Sequence, residues 1–204
     1  MKTVLYKIGG SLLIDPTLST RLKVLLESRG QDEFALILVG GGARANEVRE
    51  MQRETNGPDY YFHDMALLAM NVNASELLLD FENSCWVSYY NHLCKVLKQK
   101  RQLPFLLPGD LLKQLEPRYD LELPHNWDAT SDSIAAWLTI VLELDELRLL
   151  KSIPPVSWNE LVTGETDAVD RAFKTFLPRL KQLSWINFRT TDPEPTIHFY
   201  DECQ

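Results

Sequence analysis

The chain has 204 residues, 45% hydrophobic and 25% charged, with a formal net charge of −8. This is ordinary soluble-domain composition, with enough material for one sizeable core, and residues 1–204 read as a single domain. The acidic balance argues against broad nucleic-acid binding, which needs a positive surface. No stretch approaches the roughly 20 apolar residues of a membrane span. Met1-Lys2-Thr3-Val4 enters a strand without the apolar region of a signal peptide, so a cytoplasmic location is expected. Cys85, Cys94 and Cys203 are widely spaced and odd in number, match no metal or redox spacing, and read as reduced thiols.

Val4-Leu5-Tyr6 predicts a first strand, running into the turn Lys7-Ile8-Gly9-Gly10-Ser11. Asp15-Pro16 predicts an N-cap with proline at the first helical position, followed by an apolar stripe of Leu18, Leu22, Leu25 and Leu26. Residues 34–39 predict a second strand, which ends in Gly40-Gly41-Gly42 and a polar helix from Ala43. Strand, glycine turn and helix given twice predict an α/β fold, a three-layer sandwich around a mostly parallel sheet. Glycine lets the backbone approach a ligand closely and turn its N–H groups inward, and a following helix N-terminus favours an anion. Ligands of such sheets bind beyond the carboxyl ends of the strands. Two such turns side by side predict a polyphosphate site.

Further along, residues 62–80 and 84–100 read as two helices, and 104–108 as a short buried strand bounded by prolines. A helix over 131–144, a strand at 147–150, a helix around 166–180 and strands near 184–188 and 196–200 complete the expectation. The leucines of 62–80 offer either internal packing or a face for a second copy. Trp86, Tyr89 and Tyr90 read as helical core, or as a lid over an acceptor ring. Between strand and helix lies Leu123-Pro124-His125-Asn126-Trp127-Asp128-Ala129-Thr130-Ser131-Asp132. Ser131 reads as N-cap and Asp132 as a first-turn acid. They either serve the helix alone or, beside two phosphate loops, hold Mg²⁺ or orient a lysine.

Three motifs in this order resemble the amino-acid kinase superfamily: Lys-x-Gly-Gly-Ser at 7–11, Gly-Gly-Gly at 40–42, and Asp-x-x-x-Asp-x-x-Ala-Ala at 128–136. The stretch 123–136 looks closest to a short branch that includes an archaeal aminomethylfuran phosphate kinase. The resemblance implies a kinase using ATP and Mg²⁺ on a small anionic metabolite, possibly homo-oligomeric. It implies that Lys7 contacts the transferring phosphate and Asp132 organises the catalytic lysines or Mg²⁺. It implies that Gly9, Gly10 and Ser11 hold nucleotide phosphates, while Gly40, Gly41, Gly42 and Asp128 face the acceptor. Residues 1–150 would then be the acceptor and phosphate part, and 151–204 a shortened nucleotide part.

Other residues keep two readings. Arg44 and Arg49 suit an anionic acceptor or a solvated helix face. His125 suits an acceptor contact or a structural role, and His63, His92 and His198 suggest no partner. Where many relatives have Asp-x-Asp-Gly, this chain has Lys151-Ser152-Ile153-Pro154-Pro155, with Lys151 either a second phosphate cation or a plain strand-end lysine. Lys174 and Lys181 read as surface residues. That departure motivates a competing expectation, a kinase-like protein that binds a nucleotide or metabolite without turnover. A dinucleotide oxidoreductase is disfavoured because neither turn has Gly-x-Gly-x-x-Gly spacing.

Overall fold

Along Lys2–Ile8 (β1) the side chains alternate: Val4, Tyr6 and Ile8 belong to one buried cluster and Leu5 to another. The same alternation splits Glu33–Val39 (β2), with Ala35, Ile37 and Val39 on one side and Leu36 and Leu38 on the other. A strand buried on both faces belongs in the middle of a parallel sheet covered by helices. The computed structural model, which describes residues 1–190 and the backbone of 195–199, has that arrangement.

The remaining strands are β3 (Ser84–Val87), β4 (Leu103–Leu106), β5 (Glu146–Lys151), β6 (Gln182–Asn187) and β7 (Pro195–Phe199). They join one seven-stranded sheet in the order β3-β4-β2-β1-β5-β6-β7. The first six are parallel, and β7 runs antiparallel to β6. One face is covered by α1 (Leu18–Ser28), through Leu18, Leu22 and Leu26 at a spacing of four. The other is covered mainly by α4 (Tyr90–Gln99), α5 (Pro108–Leu115), α6 (Ser131–Val141) and α8 (Phe173–Phe176). Two more helices, α2 (Gly42–Thr55) and α3 (Asp59–Leu78), pack on each other, and α3 feeds both clusters. The short α7 (Trp158–Thr163) starts with a capping box in which Ser157 and Glu160 bond reciprocally. The α/β class and the mostly parallel sheet therefore stand as expected.

Some local expectations do not. Residues 84–100 are not one helix: β3 comes first, and α4 begins at Tyr90. Trp86 and Tyr89 are 51% and 58% exposed, so neither is core. Residues 166–180 hold only the four-residue α8 and a 3-10 turn, in which Pro178 sits. Asp15 does not cap α1; Thr17 stands at the N-cap position, and Asp15 Oδ1 accepts from the Thr17 N–H (2.9 Å) and hydroxyl (2.7 Å), an Asx turn that delays the helix. The strand expected at 104–108 ends at Leu106, and Pro108 opens α5 instead. Tyr200 and Cys203 lie outside the described residues.

On α3, Tyr61, Leu68, Val72 and Leu79 form an exposed apolar stripe that ends at the helix C-cap, while Leu67 and Leu77 turn inward. Among the described residues, no helix is long and apolar enough to cross a membrane.

Candidate active site

The strand pleat brings two distant lysines together. On β1, Lys7 follows Leu5 by two and shares its face. On β5, Lys151 follows Leu147 and Leu149 by four and two, on that same face. Lys7 pairs in register with Leu149, so Lys151 stands one pleat beyond it on the neighbouring strand. Both lie at the carboxyl ends of their strands, under α6. In the first turn of α6, Asp132 meets both ammonium groups, Lys7 Nζ at 2.8 Å from Oδ1 and Lys151 Nζ at 2.6 Å from Oδ2. Lys151 Nζ also donates to the Ala168 carbonyl at 2.8 Å.

All three groups are buried: Lys7 is 2%, Asp132 5% and Lys151 8% exposed. Burial works to raise the Asp132 carboxyl, but the charges of Lys151 and Lys7 outweigh it and hold its pKa at about 2. For Lys151 burial dominates; with the like charge of Lys7 it overcomes the attraction of Asp132, and the ammonium is pulled down to about 8. Two cations share the Asp132 carboxylate, with Asp170 near enough to act on Lys151 as well, so the cluster sets two ammonium groups where there is little water. Such a site invites an anion.

The helix that carries Asp132 is fastened from a distance. Thr130, not Ser131, is the N-cap residue, and its own hydroxyl does not cap. Asp170 caps instead: its Oδ2 accepts from the Ser133 N–H at 3.0 Å and from the Thr130 N–H and hydroxyl at 2.8 Å each. Its Oδ1 accepts from the Ser133 hydroxyl. Burial and the charge of Asp132 raise the Asp170 carboxyl above its usual range, against those hydrogen bonds. The sequence gives no signal for this role, since the cap comes from 37 to 40 positions away.

The two glycine turns touch each other. A Cβ on Gly10 would lie 2.3 Å from the Gly42 nitrogen, and one on Gly42, where φ is +55°, 2.9 Å from the Gly10 carbonyl oxygen. Gly9 N–H donates to the Leu150 carbonyl (2.8 Å) and Gly40 N–H to that of Ile8 (2.9 Å), extending the sheet into the turns. Asn73, buried on α3, donates to the Gly40 and Gly41 carbonyls at 2.8 Å each.

Two cavities flank this centre. A polar one of 910 Å³ is lined by Asp132, Lys151, Asp170, Asp128, Arg171 and Lys174 among others. A more apolar one of 400 Å³ lies against Gly10, Ser11, Gly41 and Gly42, with Leu67, Met70 and Ile134 deeper along it. Arg49, Trp127 and Thr130 line both, and the Arg49 guanidinium sits 4.4 Å above the Trp127 ring. Both glycine turns therefore open on the apolar cavity, and Lys151 and Asp132 on the polar one.

The other expected site residues are placed as follows. Ser11 is exposed at the mouth of the apolar cavity, its hydroxyl 2.8 Å from that of Ser152. Asp128 is half-exposed at the polar cavity, 3.6 Å from Arg171. Arg44 points to α3, donating to Asn73 Oδ1 at 2.5 Å and Glu76 Oε1 at 2.6 Å. Of the two arginines, Arg49 is the one on the cavities. His125 is bonded to Glu116 at 2.7 Å and stacked on His63, ring centroids 5.1 Å apart. Lys174, which reads as a surface residue, lies on the polar cavity. Among the described residues, no three His, Cys, Asp or Glu side chains are grouped to hold a metal ion.

No family model matches the sequence. Over 144 residues the chain is 26% identical to the [5-(aminomethyl)furan-3-yl]methyl phosphate kinase of Methanocaldococcus jannaschii, a match covering 69% of this chain and 62% of that protein. The match thus spans less than two thirds of the curated relative's length. Among solved structures, uridylate kinase from Archaeoglobus fulgidus superposes with a TM-score of 0.64 at 18% identity, over 91% of this chain and 89% of that one. UMP kinase from Ureaplasma parvum gives 0.69 at 13% identity, over 96% and 98%. The isopentenyl phosphate kinase of T. acidophilum gives 0.55 at 16% identity, over 92% of each.

Proposed function

We propose that this chain, whose fold is that of uridylate, UMP and isopentenyl phosphate kinases, is a small-molecule kinase of the amino-acid kinase superfamily. It transfers the terminal phosphoryl group of ATP to a small phosphorylated metabolite. The observation that carries this reading is the buried Lys7–Asp132–Lys151 cluster at the strand ends, whose Asp132 and Lys151 line the polar cavity while Lys7 lies behind them. Phosphoryl transfer depends on positioning and on stabilising the charge spread over the transferring oxygens. Two ammonium groups fixed by one carboxylate meet that need without reorganising at the moment of reaction. The polar cavity, with Lys151, Arg171 and Lys174, suits the nucleotide. The apolar cavity, with the glycine turns and Arg49, suits the acceptor.

The residues fit a nucleotide better than a metal cage. Both oxygens of Asp132 are engaged by ammonium groups, and Asp170 spends its oxygens on α6. A Mg²⁺ ion would therefore be held chiefly by the nucleotide's own phosphates and by water, with the Asp128 and Asp167 carboxylates on that wall within the same cavity. When bound, it would neutralise phosphate charge. Lys7 would contact the group in transfer, Asp132 would keep both lysines aimed, and the backbone N–H groups of Gly10, Ser11, Gly41 and Gly42, which line the apolar cavity, would hold phosphate oxygens. Self-association through the α3 stripe belongs to the same reading.

The test is ADP release from Mg·ATP with a panel of phosphate monoesters as acceptors, with calorimetric binding of Mg·ATP run alongside and Lys7→Ala as control. Turnover lost in a folded Lys7→Ala supports the reading, and turnover retained overturns the role of Lys7. Tight nucleotide binding with no acceptor turned over would favour the second reading, a non-catalytic binding protein, which rests on the Ser152-Ile153-Pro154-Pro155 loop after β5.

A further inference from the structure

On α3, His63, Ala66, Leu67 and Met70 fall at positions i, i+3, i+4 and i+7 and form one wall of the apolar cavity. His63 is the one polar member of that stripe and is only 5% exposed. Its ring is held by stacking on His125 and by a hydrogen bond to the Asn126 backbone. Its Nε2, however, is buried without a hydrogen-bond partner. A buried polar atom left unsatisfied costs about 1–3 kcal/mol unless something pairs with it. Two contacts from residues 125 and 126 fix the ring, yet Nε2 is left without a partner on a residue that lines the cavity.

We propose that His63 is the specificity-determining residue of the acceptor cavity, its Nε2 accepting a hydrogen bond from an N–H or O–H group on the acceptor molecule. This rests on the reading of that cavity as the acceptor site. The acceptor it selects is a phosphate monoester with a compact apolar body and a donor, amine or hydroxyl, away from the phosphate. The apolar body lies along Leu67, Met70 and Ile134, while the phosphate stays near the glycine turns and Arg49. Burial, with the adjacent His125 ring, holds the His63 imidazole below its ordinary range of 6.5, so at neutral pH Nε2 is a lone-pair acceptor. A site that hydrogen-bonds a substrate donor rejects analogues lacking it, because its own buried group is then left unpaired.

The experiment measures binding of three phosphate probes that differ only at one end: [5-(aminomethyl)furan-3-yl]methyl phosphate, its hydroxymethyl counterpart and its methyl counterpart. Calorimetry on the wild-type protein is expected to give at least one donor-bearing probe binding about tenfold tighter than the methyl one. Comparing the amine and the hydroxyl then identifies the donor. In His63→Leu that preference is expected to vanish while affinity for the methyl probe is kept or improved. Equal binding of all three to the wild type, or a preference that survives in His63→Leu, overturns the assignment. The wild-type comparison decides the matter if the variant fails to fold. Binding of none of the three, with no ADP released on any, would remove the acceptor reading of the cavity and this inference with it.

Discussion

Lys7 and Lys151 reach opposite oxygens of the Asp132 carboxylate, at 2.8 and 2.6 Å, from adjacent parallel strands. Each lysine is thereby tied to the same group, and the spacing between the two amines is set by sheet register rather than by loop conformation. Asp132→Asn would leave two like charges buried side by side with no anion between them. We expect a loss of about 3–5 kcal/mol in stability and the loss of Mg·ATP turnover, read by chemical denaturation and the ADP assay. A variant as stable as the parent would remove the cluster from both accounts.

The Lys151 ammonium titrates near 8, well below the ordinary lysine range, chiefly because it is buried. Its charge is present below that pH and lost as pH rises through it. Activity is therefore expected to fall above about pH 8, and Lys151→Arg to move that limb upward, since a guanidinium stays protonated. The stability contribution of this group runs the other way. Between about 8 and 10.5 the unfolded chain holds the proton more tightly than the folded one, so the contribution of Lys151 to stability rises with pH in that window. An alkaline limb unmoved by Lys151→Arg would show that another group titrates there.

Asp170 bears on the chemistry chiefly by fastening α6, the helix that carries Asp132. Asp170→Ala removes the acceptor of the Ser133 N–H and is expected to cost about 1–2 kcal/mol, as capping losses do. Because Asp132 sits one residue before Ser133, kcat should fall while the acceptor KM stays near its parent value. A KM change without a kcat change would mean that Asp170 touches substrate instead.

Arg49, stacked on Trp127 and shared by both cavities, is expected to contact an anionic ligand. Arg49→Ala should weaken phosphate-ester binding about tenfold, the effect of losing one charge-assisted hydrogen bond. Arg44→Ala, whose partners are Asn73 and Glu76, should leave that affinity nearly unchanged. Calorimetry on the pair separates the two; equal effects would contradict the placement.

Much of this was legible in local pattern. The apolar runs of β1 and β2, the glycine turns and the helix after Thr130 are local signals, and they carry Lys7, Gly10, Gly42 and Asp132. The role of Lys151 was half-legible: its position at a strand end can be read, but its shared face with Lys7 needs the register. Ser84–Val87 was hidden because four residues of edge strand merge into the amphipathic pattern of α4. Asp170 and His63 were not legible, since both act through contacts with segments far away in sequence. For Arg44 and Arg49, five positions apart on α2, helical phase decides which one meets the cavities, and the sequence leaves both readings open.

The mutual seating of Gly10 and Gly42 has a mechanical consequence. Backbone meets backbone there with no side chain between, so neither turn can shift towards the other without a clash. The gap between whatever occupies one turn and whatever occupies the other is then a dimension of the scaffold, like the span of a fixed caliper. Substrates of different size must be accommodated further down the apolar cavity, leaving the jaws untouched.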